Sequence, residues 1–87
     1  MKFQPGQIVA TPGALELADK GVHLLAYLAR HLSGDWGDLD KEDRQENYFS
    51  VKNGFRILSA YNTQLGKLWI ITEADRSITT FLLPEEY

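Results

Sequence analysis

Cysteine is absent from this 87-residue chain. That absence excludes a disulfide framework and a thiolate metal site, and it makes a reducing, cytoplasmic location the default expectation. Proline is scarce, and Pro5, Pro12 and Pro84 sit toward the ends, so no linker or helix breaker interrupts the middle. No apolar run approaches the roughly 18 residues of a membrane span, and MKFQPGQIVATPG lacks the apolar stretch of a signal peptide. A membrane role and export are therefore not expected. The glycine patterns of phosphate and dinucleotide sites are missing, so no cofactor is expected. There is no G-x-S-x-G, and Ser33, Ser50, Ser59 and Ser77 have no histidine within readable range, which argues against an enzyme.

A basic excess is lacking as well. The formal charge is −3, and residues 35 to 46 hold six acids (Asp35, Asp38, Asp40, Glu42, Asp43, Glu46) against Lys41 and Arg44, a local charge of −4. The remainder carries six acids and seven bases, or +1. Such a surface releases few counterions from a polyanion, so direct nucleic-acid binding is not expected.

What is present is apolar material: 44% of residues are hydrophobic and 11% aromatic, enough to offset the entropy of ordering. A chain of this length buries only about 60 to 65% of its unfolded surface, so a single core and a single domain over 1–87 are expected. Without disulfides or metal its stability is limited, and a homodimer burying Trp or Phe side chains is an ordinary remedy.

The pattern runs from helices to strands. Gln7 to Ala10 is a short extended candidate, and Thr11-Pro12 supplies a cap hydroxyl and a first-turn proline for a helix to Lys20, stopped at Gly21. Leu24, Leu25, Leu28 and Leu32 line one helical face between Val22 and Leu32, and Ser33-Gly34 ends it. Asp40 starts a third helix, with Glu42 and Asp43 in the first turn, running to Asn53 and closed by Gly54. Three strands follow over Phe55–Tyr61, Lys67–Thr72 and Ser77–Leu83. Their connectors are of hairpin length, which predicts a three-stranded antiparallel meander with helices on one face, an α+β fold. Leu68-Trp69-Ile70-Ile71 lacks alternation, so the middle strand is expected to be covered on both faces, by this chain or by another subunit.

Three groups of residues are candidates for function. Asp35, Trp36 and Asp38 lie in the loop between the second and third helices; Trp36 reads as an aromatic contact anchor or as a core residue that locks the loop. The acids there do not follow the calcium-loop spacing, so no metal is expected. Arg30 and His31 close the second helix, where cations oppose its dipole, or they reach an acid at Asp35 or in the strand half. His23 lies eight residues from His31, about 12 Å along the axis, too far to share a metal. Glu73, Asp75 and Arg76 occupy the second hairpin connector as turn chemistry, or as part of a polar site with Asp35 and Trp36.

The phrases TPGALE (Thr11 to Glu16), LARHLSGDWGDLDKED (Leu28 to Asp43), RILSAY (Arg56 to Tyr61) and KLWIITEADRSITTFLLPEEY (Lys67 to Tyr87) give the chain a resemblance. It resembles a family of small uncharacterised bacterial proteins from plasmids and other mobile elements, labelled "plasmid-related" or "type I restriction" protein. The resemblance spans nearly the whole chain. It implies a mobile-element or host-defence setting, in which a short acidic protein inhibits or regulates a nucleic-acid enzyme by competing with phosphates for a basic groove. The expectation carried forward is a non-catalytic module with a protein partner, contacted through the Asp35 loop and the Glu73 to Arg76 turn. Its alternative is a small-molecule or metal-binding domain with a site between those two segments.

Overall fold

In the computed structural model, which describes residues 1–87, the chain runs β1 (Gln7–Ala10), α1 (Pro12–Asp19), α2 (Leu24–Ser33), α3 (Lys41–Asn53), β2 (Ile57–Thr63), β3 (Gly66–Thr72) and β4 (Ile78–Leu82). A 3₁₀ turn over Pro84–Glu86 follows. β2, β3 and β4 form the antiparallel meander that the short connectors require. The sheet is nevertheless four-stranded and mixed, in the order β1-β4-β3-β2, which corrects the three-stranded expectation. β1 joins β4 in parallel, in the register Gln7 to Ile78 through Ala10 to Phe81. The backbone amides of Gln7 and Thr11 donate to Ser77 and Phe81, and the Thr79 hydroxyl donates to the Pro5 carbonyl.

The helices start where their caps allow. The Thr11 hydroxyl accepts from the Ala14 amide with Pro12 in the first turn, and the Asp40 carboxylate accepts from the Asp43 amide at 2.9 Å. α2 ends at Gly34 and α3 at Gly54, both in the left-handed conformation. The stripe on α2 differs from the leucine reading. Leu28, His31 and Leu32 are buried, whereas Leu25 is 62% exposed, so the apolar seam bends around a histidine.

Strand alternation divides the sheet into two faces. One face carries Ile57, Tyr61, Leu68, Ile70 and Phe81, which form the core with Ala14 and Leu17 of α1 and Leu28 and Leu32 of α2. Leu58, Ala60, Trp69, Ile71, Thr80 and Leu82 occupy the opposite face. There Ile71 and Leu82 are buried, while Leu58 and Trp69 remain half-buried. α3 lies against the outer edge of β2, because both amide atoms of the Asn47 side chain bond the outward backbone groups of Leu58.

Candidate functional site

The loop from Asp35 to Leu39 works as an edge strand without being one. β2 would otherwise end the sheet with unpaired backbone groups, an invitation to pairing with another chain. Here the Ala60 amide donates to the Trp36 carbonyl at 3.2 Å, the Ala60 carbonyl accepts from the Asp38 amide at 2.6 Å, and the Asn62 amide donates to the Asp38 carboxylate at 2.8 Å. Gly37 makes this approach possible. Its φ is 76°, and a Cβ at this position would stand 2.1 Å from the Ala60 carbonyl oxygen.

Asp35 is tied down from several sides. Arg30 donates to it through Nε at 2.7 Å, the Gly37 amide donates to the same carboxylate, and the Tyr61 hydroxyl donates to its carbonyl at 2.6 Å. The hydrogen bond from Arg30 holds the Asp35 carboxyl below its ordinary range. The Arg30 guanidinium also sits 4.7 Å over the centre of the Tyr61 ring, so the pair of Arg30 and Asp35 braces the loop against β2. Arg30 thus reaches Asp35 as the sequence allowed. Trp36 is only 2% exposed, with Phe3, His31 and Tyr48 ringed around it. Of its two readings the core one fits this position, and an exposed contact anchor does not.

His31 is fully buried and takes part in a polar chain that crosses the core. The Pro5 carbonyl only accepts, so the Thr79 hydroxyl donates to it at 2.7 Å and must accept from Thr72, also at 2.7 Å. Thr72 in turn accepts from His31 Nε2 at 2.9 Å, which leaves Nδ1 to accept from the Ser59 hydroxyl at 2.5 Å. Each donor hydrogen in the chain finds one acceptor with the ring neutral. Burial pushes the His31 pKa down to about 4, so the ring carries no charge to oppose the α2 dipole near neutral pH. That corrects the capping role. Ser59 and His31 have the contact of a nucleophile and its base, but both are sealed from solvent, and the contact orders the core.

At the other end of β2 the Glu73 to Arg76 turn is equally occupied. Glu73 pairs with Arg56 at 3.0 Å, and the Asp75 carboxylate accepts from the Ser77 amide. Arg76 adopts φ 61° and donates to the carbonyls of Ser50, Phe55, Glu73 and Ala74, tying the turn to the end of α3. No hydrogen bond or ion pair joins this turn to the Asp35 loop. The loop bonds β2 at Ala60 and Asn62, while the turn follows Thr72, which pairs with Ile57 at the far end. The two segments hold opposite ends of one strand, so a site shared between them is not formed. No group of three or more His, Cys, Asp or Glu side chains is arranged to hold a metal ion.

The open concavity lies elsewhere. A groove of about 740 Å³ separates α3 from the second face of the sheet, with Leu39, Leu58 and Trp69 among its lining residues. Phe49 and Phe55 also line it, stacked at 5.7 Å and 8° between planes, and they are 57% and 54% exposed. Asp43 and Glu46 of α3 supply its acids, and Arg56 supplies its base. The residues come from α3 and the segments flanking it, from β2 and from β3, so no local pattern announces the groove. The one signal in the sequence is Phe49 and Phe55 on either side of the Gly54 helix stop. No protein-family model, curated protein or solved structure matches the chain.

Proposed function

We propose that this chain is a non-catalytic binding module for a protein partner, and that its contact surface is the groove between α3 and the second sheet face. The observation that supports it most is the exposed Phe49–Phe55 stack beside a half-buried Trp69, three aromatic rings lining one concavity. Contiguous exposed apolar surface of this kind is a mark of interaction sites, and aromatic residues supply much of the energy where partners meet. The polar groups of the acidic Asp35 loop, by contrast, are bonded to Arg30, to Gly37 and to β2. The resemblance to mobile-element proteins suggests a nucleic-acid enzyme with a basic surface as one partner of this kind. No helix is long and apolar enough to cross a membrane.

The test is affinity capture with the wild-type chain, a Phe49→Ser, Phe55→Ser variant, and a Leu25→Ser variant that alters an exposed leucine elsewhere. Proteins bound by wild type and Leu25→Ser but lost from the double phenylalanine variant support the groove. Recovery of the same proteins by all three rejects it. A second reading, a small-molecule site in the same groove, has the groove's volume in its favour, since ligand pockets run from about 300 to 1,000 Å³. Thermal melts against a metabolite panel address it, and a ligand that raises the midpoint in wild type but not in the double variant would establish it.

A further inference from the structure

We infer that the groove selects a cationic segment, with an arginine or lysine seated at the Asp43 and Glu46 carboxylates and a neighbouring apolar side chain laid against Trp69 and the Phe49–Phe55 stack. This rests on the docking-groove reading above and adds the chemistry of the occupant. Asp43 and Glu46 are three residues apart on α3, which makes them neighbours on one helical face. Both line the groove, and neither carboxylate accepts a hydrogen bond from the protein or joins one of its three ion pairs. Arg56, the one base in the lining, is already neutralised by Glu73 at 3.0 Å and donates also to the Tyr87 hydroxyl. Nearby, Arg44 donates to the Leu39 carbonyl, and neither Arg44 nor Lys41 is among the residues that line the groove. The lining itself therefore keeps a negative side, Asp43 and Glu46, against an aromatic wall.

That combination discriminates among occupants. A second copy docked through the same face by a two-fold axis would bring two pairs of free carboxylates into one interface, which disfavours it. Nucleic acid and anionic lipid meet the same repulsion. A guanidinium or ammonium beside an apolar side chain satisfies both halves of the groove, and the planar guanidinium can bridge two carboxylates.

The whole 87-residue chain, labelled with ¹⁵N, is titrated with acetyl-leucyl-arginyl-phenylalanyl-arginine amide and with its twin carrying uncharged citrulline at both arginines. At low ionic strength the cationic peptide is expected to move the Trp69 indole signal and the Glu46 and Phe55 amide signals. Its affinity should exceed that of the citrulline twin by about tenfold or more, a gap that closes in an Asp43→Asn, Glu46→Gln variant and narrows with added salt. Equal binding of both peptides at Trp69 overturns the cation selectivity and leaves the docking groove standing. Failure of both peptides to move Trp69 removes both readings. Shifts confined to the Asp35 loop mean ordinary surface ion pairing and also overturn the inference.

Discussion

In the unfolded chain the His31 imidazole takes up a proton near pH 6.5, whereas burial lowers that value to about 4 in the folded state. Between those values the unfolded chain binds more protons, so acid favours unfolding. The contribution of the neutral ring is complete above pH 6.5 and is lost as the pH falls toward 4, about 3 kcal/mol in all at 1.36 kcal/mol per unit. Urea unfolding from pH 7 to pH 4 should show this slope, and a His31→Gln variant should flatten it. A variant as acid-sensitive as wild type in that window would show that His31 is not its source. Asp35 belongs to a lower window, because its depressed pKa gives stability that is lost only as the pH falls below its ordinary 3.8. Trp36 offers a second test at this scale. Its buried indole N–H has no hydrogen-bond partner, so Trp36→Phe keeps most of the packing and removes an unmet donor. It should cost under about 1.5 kcal/mol, against about 3 to 5 kcal/mol for Trp36→Ala, as chemical denaturation would read. The sequence left Trp36 open between contact anchor and core because a tryptophan between Asp35 and Gly37 in a loop suits either; only the ring of Phe3, His31 and Tyr48, drawn from distant segments, decides it.

The meander and the three helices were legible because they rest on short-range signals: hairpin-length connectors, the Thr11 and Asp40 caps that start α1 and α3, and the glycines that close α2 and α3. The edge of β2 was not. Its partners are the backbone of residues 36 to 38 and the amide of Asn47, and backbone pairing leaves no side-chain signature in a run of acids. The charge run looked like a surface, although Asp35 and Asp38 are committed to Arg30 and to the Asn62 amide. β1 was also ambiguous, since four residues, QIVA, do not specify which strand they join. Asn47 is the test at this scale. Asn47→Ala leaves both the N–H and the carbonyl of Leu58 without a partner and should cost about 2 to 3 kcal/mol in urea unfolding. Asn47→Asp restores an acceptor for the amide but no donor for the carbonyl, so it should recover only part of the loss. If Asn47→Ala unfolds at the wild-type midpoint, α3 does not secure that edge.

Across the whole molecule, charge and apolar surface are arranged to oppose each other in self-association. The chain carries only −3 overall, yet the stretch that leads into α3 and forms its first turns holds most of the excess acid. The exposed Phe49–Phe55 stack joins the same helix to the residue just past its Gly54 cap. The aromatic patch favours pairing with any apolar surface, including its own copy, while the free Asp43 and Glu46 carboxylates disfavour a like partner. Screening decides the balance, because the Debye length falls from about 30 Å at 0.01 M to about 8 Å at 0.15 M ionic strength. The homodimer that small size made an obvious remedy should therefore depend on salt if it uses this face. Light scattering behind gel filtration is expected to show a monomer at low ionic strength. Association through the phenylalanines should rise several-fold with added salt or in Asp43→Asn, Glu46→Gln, and Phe49→Ser, Phe55→Ser should abolish it in both conditions. A dimer already complete at low salt and indifferent to the phenylalanine changes would place self-association on another surface and leave the groove to a partner alone.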